Sequence, residues 1–286
     1  MDTTIEAKQF SATQVRVTER LADFPWWFLV IALSGIFLAY SFYSNATYAE
    51  IFDTLKAGII TTLQVTLTAY AIAVTLGLLA GLGRVSKNPI VYNIATLYVQ
   101  IMRGVPILVT ILYVAFVFVP GVINAINAIG TMLVNLNLLP EDNFLLALST
   151  RNVDFLVRAI IALAISYGAF SAEIFRAGIE SIGRGQMEAA RSLGMNYFQA
   201  MRHIILPQAV RRVLPPLGND FIAMLKESSL VSALGVRDIT QLGKLYASSS
   251  FLYLETYNSV AFLYLTMTIL LSLGVKLMEK RLKTDG

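Results

Sequence analysis

Glu173 is the carboxylate set deepest in any long apolar run of this chain, and Arg176 stands one helical turn further on. A charge in hydrocarbon costs about 3 kcal/mol or more unless a polar cavity or a partner receives it. Two roles are open: Arg176 neutralises Glu173 as an i,i+3 pair, or Glu173 lines a permeation path and meets the ammonium of a substrate. Tyr167, in the same run, is a second candidate for such a path. Arg103, followed by Gly104 and Pro106, is a third; it could contact a substrate carboxylate, although its long stem suits snorkelling to the interface better. Lys226 and Glu227 read as an ion pair at a helix end.

Covalent chemistry has little to work with. The chain has no cysteine and one histidine, which excludes disulfides, thiolate metal sites and most histidine metal chemistry. No nucleophile–base set, paired acids or metal cluster stands out. No GxxxxGK[ST] phosphate loop occurs, so ATP hydrolysis cannot be assigned to these residues. Binding and translocation remain.

The elements that must position these residues are membrane spans. Hydrophobic residues make up 56% of the 286 and charged ones 14%, against about 45–50% and about 25% in soluble domains. The mean hydropathy is +0.66. Residues 1–23 read as a cytoplasmic tail and 24–43 as an accessory transmembrane helix, with Trp26 and Trp27 at the interface. A second span covers 57–82, its threonines and glycines suited to close packing inside a bundle. Arg103, Gly104 and Pro106 break the next run into an interfacial elbow and a span from about Val105. Residues 120–154, with six scattered asparagines, are expected as an insertion forming a short amphipathic or re-entrant helix on the outer side. Further spans follow at 155–179, 209–225, bent at Pro215-Pro216, and 256–276. With both termini inside, fifteen of the 22 Lys and Arg lie on the cytoplasmic side and six outside, Arg103 staying in the elbow. The basic residues thus flank apolar spans, which argues against nucleic acid as a partner.

Between two of these spans lies a polar, positively charged island, 183–208. Gln186 to Leu193 has helix-forming composition, with Ala189, Ala190 and Leu193 making a small apolar face. Gly194 ends that turn, Asn196 is an N-cap with Gln199 as its capping-box partner, and Pro207 is expected to close the second helix. A helix–turn–helix exposed at the cytoplasmic membrane surface follows.

Glu188-Ala189-Ala190, three residues, Gly194, nine residues, then Ile204-x-Leu206-Pro207 resembles the cytoplasmic loop of the membrane subunits of binding-protein-dependent ABC importers. Met102-Arg103-Gly104-Val105-Pro106, Arg176-Ala177-Gly178-Ile179, Pro207-Gln208-Ala209, Leu214-Pro215-Pro216-Leu217-Gly218-Asn219 and Leu225-Lys226-Glu227-Ser228-Ser229-Leu230 look like the permeases for polar amino acids. The similarity covers 54–283. It implies an all-α integral membrane protein: a type I ABC importer permease core of five transmembrane helices plus one N-terminal helix, in a prokaryotic cytoplasmic membrane. It implies docking of Glu188, Ala189, Ala190, Arg191, Leu193, Gly194 and Pro207 to an ATPase dimer that carries ATP and magnesium. An identical or similar second permease, an extracytoplasmic amino-acid-binding protein and an amino acid substrate complete the expected assembly. The competing class is a secondary amino acid transporter driven by an ion gradient, which would use Glu173 but no docking loop.

Overall fold

The computed structural model describes residues 26–283, so the tail at 1–23 and the first residues of the accessory helix lie outside the described residues. Every regular element among the described residues is helical. Two compact units divide the chain, 1–52 and 53–286. In the first, α1 (Trp26–Ser44) turns into the start of α2 (Ala46–Arg84), and Phe42 packs against Tyr48 and Phe52, with centroids 6.0 and 5.2 Å away.

The second unit continues α2 and adds α3 (Pro89–Gly104), α4 (Ile107–Tyr113), a π-helical turn at Val114–Phe118, and α5 (Val119–Asn135). After the short α6 (Phe144–Ala147) and a 3-10 turn come α7 (Phe155–Glu180), α8 (Arg184–Ser192), α9 (Tyr197–Ala200), a second π turn (Met201–Ile205) and α10 (Leu206–Glu227). A 3-10 segment, α11 (Ile239–Ser250) and α12 (Tyr253–Lys283) complete it. Among the described residues, four stretches are long and apolar enough to cross a bilayer: Ala46–Arg84, Ile107–Asn135, Phe155–Glu180 and Tyr253–Leu282. The apolar part of α1, Leu29–Ser44, is shorter. Helix α10 is a regular helix too polar for that class, carrying Arg211, Arg212, Asp220, Lys226 and Glu227 around two internal prolines.

The elbow is present. Val105, between α3 and α4, is extended with φ −102 and ψ 133, because the ring of Pro106 disfavours helical backbone in the residue before it. The expected insertion has a different form. Its first half is the second half of a 29-residue helical stretch, Ile107–Asn135. Pro120 does not end that stretch because the π turn before it has shifted the hydrogen-bond register: Val119 N–H bonds to Val114 O, five residues back. The widened turn accommodates the proline ring.

Three of the six asparagines that made this region read as polar, Asn137, Asn143 and Asn152, lie at helix ends, while Asn124 and Asn127 lie within α5. Asn137 has φ +56 just after α5, and the amides of Asn137 and Leu138 return to Val134 and Leu133 carbonyls at 2.8 and 2.9 Å. Asn143 caps α6, Asn152 completes a capping box with Ser149, and Asp154 caps α7.

The core of this unit joins Val65, Ala69 and Ala73 of α2 with Ile111, Leu163, Tyr167, Met224 and Val231. Small residues let the backbones approach, as in membrane bundles generally. A Cβ built on Gly77 would lie 2.5 Å from the Ser171 side chain, and one on Gly178 would lie 2.1 Å from Val213. Helix α7 is thereby pressed between α2 and α10, so its polar residues must find partners there.

The 183–208 loop and the polar groups of helix α7

Helix α8 ends where Gly194, at φ +84, takes the left-handed conformation. The Gly194 amide bonds to Arg191 O at 2.9 Å and the Met195 amide to Ala190 O at 3.1 Å, a paired C-cap that closes the helix. Two residues on, Asn196 accepts from Gln199 N–H at 2.8 Å while Gln199 accepts from Asn196 N–H at 3.0 Å. The expected capping box is therefore formed, and the four residues between the two helices, 193–196, are held at both ends.

This fixes which face looks outward. Leu193 is 80% exposed and Phe198 70%, although both are large apolar side chains. Ala190, expected on the outer apolar ridge, is 3% exposed and buried within the chain. Ala189, Glu188 and Arg191 are exposed, and among the described residues neither Glu188 nor Arg191 forms an ion pair. Beneath the loop, Ile182, Ile205 and Ala209 pack with Met187, Met201 and Ile204. Pro207 does not close the second helix. The π turn at Met201–Ile205 precedes it as the other π turn precedes Pro120, with Leu206 N–H on Met201 O, so helical backbone runs from Tyr197 to Glu227.

Glu173 has more partners than sequence spacing suggested. Arg176 reaches Oε1 with Nε at 3.2 Å and with Nη2, and its Nη1 bonds to Glu180. Arg84, from the end of α2, donates to Oε2. Arg103 Nη1 stands 3.7 Å from the same oxygen, its guanidinium 5.9 Å from the centre of the Phe170 ring. Three helix ends thus converge on one carboxylate. Nothing in sequence spacing links Arg84 to Glu173 across 89 positions; folding alone brings them together.

Tyr167 is buried, and its hydroxyl donates to Glu227 Oε2 at 3.0 Å. The expected Lys226–Glu227 pair does not form among the described residues: neighbours in a helix point about 100° apart, and Glu227 faces α7. One turn along, Ser171 donates to Asp220 at 3.1 Å, and Tyr70 donates to the Leu217 carbonyl at 2.5 Å. Asp220 and Glu227, two turns apart on α10, therefore meet Ser171 and Tyr167, one turn apart on α7. Asp220 and Ser171 were missed as site candidates; the seven-residue step from Asp220 to Glu227 was the available signal.

Closely packed helices long and apolar enough to span a bilayer, with a loop that exposes Leu193 and Phe198 between two of them, are those of an integral membrane protein. The family model describing the "Binding-protein-dependent transport system inner membrane component" matches residues 73–284. The chain belongs to that family, whose members are membrane components of ABC importers with ATP hydrolysis on a separate subunit. It is 38% identical to the probable amino-acid permease protein YxeN of Bacillus subtilis, over 80% of this chain and 91% of that protein. It is 37% identical to the probable glutamine ABC transporter permease protein GlnM of the same organism, over 81% and 94%. A crystal structure of an amino acid ABC transporter with histidines aligns at TM-score 0.66 and 34% identity, covering 82% of this chain and 97% of that one. Membership in this family removes the ion-driven transporter as a competing class.

Proposed function

We propose that the chain is the permease subunit of an importer for polar amino acids, and that residues 183–208 are the segment through which a partner ATPase drives it. The observation that carries the coupling role is the pair Leu193 and Phe198, held exposed on a loop whose backbone is fixed by the Gly194 turn and the Asn196–Gln199 box. Apolar side chains held out in water on a rigid element suit insertion into another protein. Glu188 and Arg191, exposed beside them, would add charge-assisted hydrogen bonds at the rim.

The names of the relatives, an amino-acid permease and a glutamine permease, support an amino acid as cargo. Two such permeases, identical or similar, with two ATPases and an extracytoplasmic binding protein form the working assembly. ATP and magnesium belong to the ATPases. The distribution of Lys and Arg supports a cytoplasmic loop with both chain termini on that side.

Glu173 serves the scaffold in this reading. Its oxygens are engaged by Arg84 and Arg176, with Arg103 close by, so an approaching ammonium meets more positive than negative charge. The groups better placed to meet a polar substrate are Asp220 and Glu227, which have hydroxyl partners and no cation among the described residues. Tyr167 then holds Glu227 in place.

Reconstituted with its ATPase and binding protein, Leu193→Ser/Phe198→Ser should insert and fold normally yet lose most binding-protein stimulation of ATP hydrolysis. Full stimulated transport by that variant would remove the docking assignment.

A further inference from the structure

A cleft of about 380 Å³ lies between α7 and α10, lined by Glu173, Ile174, Ala177 and Ser181 on one side and Arg212 and Pro216 on the other. It occupies the last turns of α7, the end that the orientation proposed above places at the cytoplasmic surface. Its walls are largely apolar through Ile174, Ala177 and Pro216. Its charge is not balanced: Arg84, Arg103 and Arg176 gather around Glu173, Arg176 also holds Glu180, and Arg212 stands at the rim. Of these only Glu173 and Arg212 line the cleft; counted with the neighbours that gather around Glu173, four guanidinium groups accompany two carboxylates.

Arg212 is the group with capacity to spare. One of its nitrogens donates to the Ser181 carbonyl, and it has no carboxylate partner among the described residues. A guanidinium carries five N–H donors, so most remain for an anion, and its planar fork matches a phosphate in bidentate fashion. The occupant must combine a negative head with an apolar body, because an apolar groove runs directly beside the free cation. A soluble amino acid has a carboxylate but would leave its ammonium facing excess positive charge. An anionic phospholipid of the cytoplasmic leaflet meets both requirements, and basic pockets between spans on that side are where such headgroups bind.

We infer that this cleft is a binding site for an anionic phospholipid, with Arg212 on the phosphate and an acyl chain along Ile174, Ala177 and Pro216. The inference rests on the orientation proposed above. A bound lipid would bridge α7 and α10, the helices on either side of the coupling loop, and so would steady the loop's base.

The test uses the permease purified with its ATPase in an uncharged detergent. Dioleoylphosphatidylglycerol and dioleoylphosphatidylcholine are titrated separately, with bound lipid counted by native mass spectrometry and the melting temperature recorded. Phosphatidylglycerol should bind more tightly and raise the melting temperature. Arg212→Gln should weaken it about fivefold, Arg212→Lys should retain part of the effect, and Ala177→Trp should block it by filling the groove without altering charge. Arg237→Gln, an exposed change elsewhere, should leave it unaltered. Equal binding of the two lipids, or phosphatidylglycerol binding indifferent to both Arg212→Gln and Ala177→Trp, overturns the site. Displacement of the lipid by inorganic phosphate or glutamine alone overturns it in favour of a small soluble ligand. An error in orientation would be seen separately, as labelling of the loop from outside the cell.

Discussion

Arg158 Nη1 donates to the carbonyl oxygen of Ala115 at 2.9 Å. The π turn sends Val119 N–H to Val114, and Pro120, next in line, has no N–H to offer, so the Ala115 carbonyl lacks its in-register helical donor. Arg158 supplies one from α7 and also donates to Val153 O at 2.8 Å and to Thr150 O. A basic residue counted among the six on the outer side, at one end of the span 155–179, is a buried clamp on three carbonyls. At Pro207 the same π-turn device lies in the loop proposed to face the cytoplasm, where water can serve the freed carbonyl.

Replacing Arg158 by Met should therefore destabilise the permease by about 3 kcal/mol, the scale of a lost charge-assisted hydrogen bond plus unsatisfied buried acceptors. Adding Pro120→Ala restores a donor to the turn and should recover part of that loss. Thermal unfolding of the two single variants and the double checks this, and strict additivity would show that the two residues do not share the Ala115 carbonyl.

Glu173→Gln should lower stability by leaving Arg84 and Arg176 facing each other without their shared counter-charge. Because the cluster is partly exposed, the loss should be about 1–2 kcal/mol, below the range for a fully buried pair. Arg84→Gln in the same chain should recover part of it. If Glu173→Gln melts at the wild-type temperature but abolishes uptake, the carboxylate belongs to the substrate path instead.

Gly194→Ala places a Cβ on a residue at φ +84, which costs roughly 1 kcal/mol. The cost is local, so the global melting temperature should barely move. Protease sensitivity of the 191–197 turn should rise, and ATPase stimulation should fall. An unaltered cleavage rate would mean that the turn is not held by this conformation.

The chain contains no cysteine, so single cysteines report topology without background. Ser192→Cys should react with a membrane-impermeant thiol reagent only in inverted vesicles, and Ser249→Cys only in right-side-out ones. Reaction of both from one face breaks the proposed orientation.

Asp238 is fully buried, accepting from Gln241 N–H at 2.8 Å and from the Tyr264 hydroxyl at 3.0 Å. Burial pushes its carboxyl above the usual aspartate range, only partly offset by these hydrogen bonds. A raised folded value means that the folded state holds the proton more tightly. Its contribution to stability is therefore full below the unfolded aspartate value of about 3.9 and is lost as pH rises through the folded one. Asp238→Asn removes this titration, so the fall in melting temperature as pH rises above about 4 should be smaller in the variant than in the wild type.

Local patterns in the sequence determined much of this protein. The turn within 183–208 was legible because its signals act over a few residues: a glycine for a left-handed turn, an asparagine and a glutamine three apart for a capping box. The elbow before Pro106 was legible for the same reason, since proline constrains its immediate neighbour. Hydropathy marked most of the spans, which depend on length and composition. What the tertiary structure decided was partnership. Whether Pro120 and Pro207 end a helix depends on a register shift in the preceding turn, and whether that shift can be kept inside a bundle depends on a donor such as Arg158, 43 residues from the carbonyl it satisfies. Glu173 could be paired from sequence only with Arg176; Arg84 and Arg103 reach it because the ends of α2 and α3 meet α7. The asparagines of 120–154 looked like polar residues misplaced in a membrane, and only the positions of the helix ends gave Asn137, Asn143 and Asn152 capping roles. Side chains act across space, and spacing along the chain records only the contacts made within one or two turns.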